Sequence, residues 1–141
     1  MILPDVNVLL YAFRKDAADH AKYRSWLDSV VNGDAAYGIS PQVLSSVIRI
    51  ATHPRIFKQP SRLEEVIQFC DVLLNQSQSH RILPGTLHWA IFCKLCRQAR
   101  AVGNLVQDAW FAALAIESAC DWITTDGDYG RFPGLRWRSP F

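Results

Sequence analysis

The sequence predicts an α/β domain with a parallel sheet, and three observations predict it. Short apolar runs of strand length alternate along the chain with longer stretches of helical periodicity. Half of the 141 residues are apolar and a fifth are charged, enough for one sizeable core and too apolar for disorder. No linker, low-complexity tract or internal repeat divides the chain, so residues 1–141 are expected to form a single domain.

Each element has its own signal. Met1–Pro4 reads as a short buried strand. Asn7–Phe13 and Ala18–Val31 read as helices, the second with Tyr23, Trp26, Leu27, Val30 and Val31 at helical spacing and Asn32-Gly33-Asp34 as its end. Ala36–Ile39 is a second strand. Ser40-Pro41 then forms an N-cap followed by proline at the first helical position, opening a helix that His53-Pro54 stops near Thr52. Ser61-Arg62-Leu63-Glu64 has the form of a capping box for a helix over Leu63–Leu74. Arg81-Ile82-Leu83 is a third strand, Thr86 caps a helix over Leu87–Ala101, and Gly103 closes it. An alanine-rich helix is expected over Asp108–Ala119, then strands at Trp122–Thr124 and Leu135–Trp137.

Several function classes recede. No apolar run reaches bilayer-spanning length, and the first residues lack the features of a signal peptide, so a cytoplasmic protein with no membrane partner is expected. Cys93 and Cys96 form a C-x-x-C, but no second Cys/His pair offers zinc spacing. Both lie in the helical run Leu87–Ala101 and read as small hydrophobes; Cys70 and Cys120 are the other two cysteines. Net charge is only +2, so no basic coat announces a nucleic-acid partner. His20, His53, His80 and His88 are scattered without ligand spacing. The five tryptophans read as core, with Trp110, two residues after Asp108, open to either a core or a base-stacking reading.

The informative residues are acids. Asp5 follows the first strand, Asp108 opens a helix, and Asp126 and Asp128 follow the strand ending near Thr124. In an open parallel sheet, ligands bind at the carboxyl ends of the strands, where Asp5 and Asp126 project if their strands are neighbours. Clustered carboxylates repel unless a divalent cation compensates them. Mg²⁺ and Mn²⁺ prefer such hard oxygens, clamp phosphates and lower the pKa of a bound water, which suits phosphodiester hydrolysis. Singly, each acid has a plainer reading: Asp108 as a helix N-cap, Asp126-Gly127-Asp128 as a turn, Asp5 as a helix start.

Three longer motifs carry a resemblance. Leu3-Pro4-Asp5-Val6-Asn7-Val8-Leu9-Leu10-Tyr11-Ala12 opens the chain. Asn104-Leu105-Val106-Gln107-Asp108-Ala109, with Ala112, Ala113, Ala115 and Glu117, comes second. Trp122-Ile123-Thr124-Thr125-Asp126-Gly127-Asp128-Tyr129 and Arg131-Phe132-Pro133-Gly134-Leu135 come last. In this order they resemble the motifs of VapC-type PIN domains, the ribonuclease toxins of bacterial type II toxin–antitoxin pairs. The resemblance spans nearly the whole chain. It implies a PIN-like three-layer domain, with a short central parallel sheet flanked by helices, and divalent-metal endonuclease activity on RNA. It also implies inhibition by a cognate VapB-type antitoxin. It assigns Asp5, Asp108 and Asp126 as metal ligands for Mg²⁺ or Mn²⁺, with Asp128 beside them.

One position departs from the pattern. Many PIN nucleases carry a Glu in the helix after the second strand, where this chain has Ser46 in Ser40-Pro41-Gln42-Val43-Leu44-Ser45-Ser46-Val47-Ile48-Arg49. The site is therefore expected to have one negative charge fewer, which bears on a second metal more than on the first. Ser46 and Asp128 are assigned supporting roles, Asn7 and Thr124 or Thr125 orienting roles, and Arg14, Lys15 and Arg49 contacts to RNA phosphates.

Two rivals stand beside this reading. One is a non-catalytic PIN-like module that binds RNA or protein. The other is a phosphotransfer domain with Asp5 as nucleophile, disfavoured because Lys94 is the last lysine and none lies near the late strand. The apolar residues of Ser61–Ala101, read as a helical hairpin, exceed what one small core needs. A homodimer with an antitoxin groove near these helices is one expectation, and that all of these residues are core is the other.

Overall fold

A computed structural model describes residues 1–141. The elements in chain order are β1 (Ile2–Pro4), α1 (Val6–Phe13), α2 (His20–Val31), β2 (Tyr37–Ile39), α3 (Pro41–Ala51), α4 (Leu63–Leu74), β3 (Ser79–Arg81), α5 (His88–Ala99), α6 (Asn104–Glu117), β4 (Asp121–Ile123) and β5 (Trp137–Arg138). All strand pairs are parallel, in the order β3-β2-β1-β4-β5. The expected α/β class and the short parallel sheet flanked by helices are both present. β1 and β4 run in register, with Ile2 opposite Asp121 and Pro4 opposite Ile123. The chain grows outward from β1 to β3 on one side and then returns to place β4 on the other. The switch point therefore falls between β1 and β4, at whose carboxyl ends a crevice opens.

The core explains why such short strands suffice. Leu3, Tyr37, Ile39, Trp122 and Ile123 are buried in the sheet, and each helix contributes a buried stripe. On α6 the run Ala109, Phe111, Ala112, Ala113, Leu114 and Ala115 is buried, and its small side chains let the helix lie close to the sheet. Trp122 sits between Phe111 and Tyr129, with ring centroids 5.6 and 5.4 Å away. That contact ties α6 and the segment after β4 to β4 itself, beside the central strand β1. Ser40 caps α3 as its sequence suggests, accepting from the Val43 N–H at 3.2 Å with Pro41 in the first turn.

Four local expectations are corrected. Helix α6 begins at Asn104, not Asp108, because Gly103 at φ +58° turns the chain there and Leu105 continues the apolar stripe. Asp108 therefore lies in the second turn rather than at a cap. The Ser61 capping box does not form: Arg62 is the cap residue of α4, and the Ser61 hydroxyl accepts from Arg14 at 3.1 Å. Thr86 does not cap α5 either. The Glu117 carboxylate reaches across from α6 and accepts from the N–H groups of Gly85 (2.6 Å) and Leu87 (2.9 Å). A side chain at Gly85 would collide with that carboxylate, since its Cβ would lie 2.7 Å from Glu117 Oε2. Finally, α4 and α5 are not a hairpin. β3 separates them, α4 lies against α3 and β3, and α5 packs on α6. Val66, Leu73 and Leu95 are core, while Val72 and Trp89 are exposed.

A candidate active site at the carboxyl ends of β1 and β4

Asp5 sits where β1 ends and α1 begins. Its N–H donates to the Ile123 carbonyl at 2.9 Å, which carries the β1–β4 pairing one residue past the strands. Its backbone is extended (φ −76°, ψ 162°), and Oδ1 caps α1 by accepting from the Val6 N–H at 2.6 Å. Oδ2 accepts from the Thr124 hydroxyl, also at 2.6 Å, and the Thr124 oxygen in turn accepts from the Asp126 N–H at 3.0 Å. One buried threonine thus links the first acid of the chain to the last motif, 119 residues later. Asp126 opens a 3₁₀ turn over Gly127–Arg131 and accepts from the Asp128 N–H at 2.9 Å. Tyr129, fully buried behind this turn, points its hydroxyl at Asp108 on α6, 3.4 Å away.

Asp5, Asp108 and Asp126 line one cleft of about 400 Å³ together with Asn7 of α1, Ser46, Arg49 and Ile50 of α3, Ile56, and Tyr129. One carboxylate oxygen each of Asp108, Asp126 and Asp128 falls within 4.8 Å of the others. No lysine or arginine forms an ion pair with Asp5, Asp108 or Asp126. Only Asp128, at the exposed rim, has Arg131 nearby at 3.9 Å.

The electrostatics follow from this crowding. Burial pushes the Asp5 carboxyl up to about 6, against the hydrogen bonds from Thr124 and Val6, and the charges of Asp108 and Asp126 add to the rise. Burial also raises Asp108 to about 6, helped by the charge of Asp126 and opposed by the hydrogen bond from Tyr129. The Tyr129 phenol is pushed far above its ordinary value, by burial first and then by the three carboxylates it faces, so it remains a donor. Convergent, unpaired, hard oxygen donors that resist holding their charges together fit a divalent cation such as Mg²⁺ or Mn²⁺.

Comparison with known proteins assigns the family. The PIN domain profile matches residues 2–135. Ribonuclease VapC43 of Mycobacterium tuberculosis is 39% identical over 140 residues, which span 99% of this chain and 95% of that protein. Ribonuclease VapC31 of the same species is 36% identical over 99% of both. The chain belongs to the PIN-domain family, among the VapC ribonucleases. Solved structures share the fold at lower identity. VapBC2 from Rickettsia felis, bound to a promoter DNA fragment, has a TM-score of 0.72 at 20% identity, covering 99% of this chain and 98% of that one. VapBC-1 from nontypeable Haemophilus influenzae has a TM-score of 0.68 at 20% identity with the same coverage.

Within this PIN domain the sequence-based candidates separate by position. Ser46, Arg49 and Ile50 share the face of α3 that looks into the cleft. Asn7 lines the cleft, and Thr124, buried, rather than Thr125, exposed, orients Asp5. Arg14 is corrected: it is buried, and its guanidinium is taken up by hydrogen bonds to Asp16, Gln59 and Ser61 rather than presented at the carboxylate cleft. His88 is structural, stacked edge-on against Trp110 with a ring nitrogen 3.0 Å from the Trp110 carbonyl, and Trp110 is a partly buried core residue. Sequence reasoning gave no role to Tyr129, whose only signal was an aromatic following Asp126-Gly127-Asp128. It also missed Asn104, one turn before Asp108, and Gln107, directly before it, which both line the cleft.

The serine at the third helix carries its own expectation. Ser46→Ala is expected to retain cleavage within about tenfold of the parent, because a hydroxyl reaches a cation only weakly or through water. Asp108→Ala, measured in the same assay, is expected to fall to background.

Proposed function

We propose that this PIN domain is a Mg²⁺- or Mn²⁺-dependent endoribonuclease, the toxin of a VapBC-type toxin–antitoxin pair acting in the cytoplasm. The observation that carries the proposal is the convergence of Asp5, Asp108 and Asp126 on one cleft, where oxygens of Asp108, Asp126 and Asp128 lie within 4.8 Å of one another and no lysine or arginine forms an ion pair with Asp5, Asp108 or Asp126. Asp5, Asp108 and Asp126 would hold the ion, while Ser46 and Asp128 support it. The ion would supply Lewis-acid polarisation of the scissile phosphate and a more acidic attacking water. The chain's own residues do the positioning. Thr124 locks the Asp5 carboxylate in one orientation, and Tyr129 steadies Asp108 from inside the fold. Water attack on the phosphorus, with the 3′-oxygen leaving, yields a 5′-phosphate and a 3′-hydroxyl.

The reading also implies restraint from outside the chain. A small VapB-type antitoxin could insert an arginine toward Asp5 or Asp126 and replace the cation by a charge-assisted pair. A homodimer belongs to the same proposal. The decisive test is cleavage of a structured RNA by the purified protein. Cutting is expected with added Mg²⁺ or Mn²⁺ and none in excess EDTA, with activity returning on remetallation. Undiminished cutting in EDTA would remove the metal mechanism.

A further inference from the structure

Between Asp34 and Glu64 the chain has no acidic residue, yet it carries Arg49, Arg55, Lys58 and Arg62. None of the four takes part in an ion pair. The last three lie on or at the end of the segment 52–62, which joins α3 to α4 without helix or strand. The segment is nonetheless tied down. Ser61 N–H donates to the Ala51 carbonyl at 2.8 Å, and the Ile56 and Phe57 N–H groups donate to the His53 carbonyl at 3.1 Å.

Arg14 secures it from beneath. Its guanidinium lies 3.7 Å from the Phe57 ring centroid and donates through Nη1 to the Gln59 carbonyl (2.8 Å) and the Ser61 hydroxyl (3.1 Å). Nε and Nη2 grip Asp16 at 2.9 and 2.6 Å, which orients the fork. Two ends of this arrangement open onto cavities. Ile56 and Arg49 line the carboxylate cleft. Lys15 and Arg62 line a second cavity of about 450 Å³ together with Gln59, with Asp16, which Arg14 holds, and with Glu65. Arg49 thus stands in the acidic cleft, Arg55 and Lys58 are exposed on the segment, and the second hollow holds the cations Arg14, Lys15 and Arg62 against the acids Asp16 and Glu65.

A cleft of carboxylates repels a polyanion, so affinity for a nucleic-acid strand must come from cations close by. We propose that segment 52–62 is a phosphate-binding strap for the RNA backbone flanking the scissile bond. Arg55 and Lys58 are its contacts and Arg14 is the residue that positions it. The inference rests on the ribonuclease reading and adds to it where the strand runs. An acidic face of a protein partner is the competing occupant; RNA is favoured because the cations begin inside the cleft that would hold the scissile phosphate.

The test uses full-length protein and a random-sequence pool of 20-nucleotide RNAs, so that only backbone contacts count. Wild type, Arg55→Ala/Lys58→Ala and, as control, Arg24→Ala are compared. The double variant is expected to raise KM about tenfold with kcat within about twofold. The slope of log affinity against log salt should become shallower by about 1.4, roughly 0.7 for each lost contact to a single strand. Arg24→Ala, on the exposed face of α2, should change neither. Phe57→Leu, which keeps a core-sized side chain but removes the ring under Arg14, should raise KM likewise. In that background Arg55→Ala/Lys58→Ala should cost less than in the parent. If wild type cuts RNA and the double variant matches it in KM and salt slope, the strap is overturned while the ribonuclease reading stands. The strap is equally overturned if the double variant weakens only binding of a co-expressed protein partner. Absence of cutting by wild type would sink the ribonuclease reading and the strap with it.

Discussion

Asp5→Asn is expected to abolish RNA cleavage, by about a thousandfold or more, and at the same time to raise the thermal midpoint of the metal-free protein. Both effects come from one buried carboxylate. In the native fold its carboxyl titrates near 6 instead of the ordinary 3.8, so folding favours the protonated form. The stabilising contribution of that preference is complete below 3.8 and is lost as pH rises through about 6. At pH 7.5 without metal, the fold therefore carries a buried, crowded charge that asparagine lacks. A rise of about two pK units corresponds to roughly 3 kcal/mol, enough to move the midpoint by several degrees. Asparagine still presents an oxygen to the Val6 N–H and can donate to the Thr124 hydroxyl, so the turn is kept. Differential scanning calorimetry in EDTA is the check. A lower midpoint for Asp5→Asn would mean that the carboxylate is needed as a structural cap, not tolerated for a ligand's sake. In cells, the same variant should be harmless where the parent arrests growth.

Cation affinity is expected to collapse in mild acid. Asp5 and Asp108 both titrate near 6, and each must be ionised to bind a hard cation. Between pH 7.5 and pH 5 each carboxyl becomes about nine-tenths protonated, so two together cost about a hundredfold in affinity. Isothermal titration with Mn²⁺ at several pH values should show this fall, and the observed heat should vary linearly with the buffer's ionisation enthalpy, the slope giving the protons released on binding. Added Mg²⁺ should raise the melting temperature strongly at pH 7.5 and little at pH 5. A flat affinity across this range would remove these two carboxylates from the ligand set.

Much of the fold was open to sequence reasoning because local chemistry and burial agree in this chain. The α4 limits, Leu63–Leu74, are as expected although the capping box that suggested its start does not form, and Ser40-Pro41 marks the start of α3 without help from its neighbours. Reasoning was weaker where polar residues form structure for distant reasons. β3 lies two residues earlier than Arg81-Ile82-Leu83 suggests, because Ser79-His80-Arg81 is an edge strand whose polar side chains show no alternation. The start of α6 was displaced by four residues, because a carboxylate early in a periodic stretch looks like a cap until the glycine before it is seen at φ +58°. Ser61-Arg62-Leu63-Glu64 has the letters of a capping box, but Arg14, 47 positions away, takes the serine hydroxyl.

Fold class, family and the four acids of the candidate site could all be read from the order of amino acids. Apolar periodicity and the Leu3-Pro4-Asp5, Gln107-Asp108 and Thr124-Thr125-Asp126 motifs are local, and local patterns survive without coordinates. How those acids are held depends on contacts that the folded chain alone creates. Thr124 bridges Asp5 to Asp126 because β1 and β4 are neighbours at the switch point of the sheet. Tyr129 reaches Asp108 because Trp122 packs α6 against the turn that follows β4. Arg14 proved to be a buried clamp on the segment 52–62 rather than a surface cation. The physical reason is common to all three. Hydrogen bonds and burial between residues far apart in the chain depend on strand order and helix approach, which one-dimensional spacing does not encode.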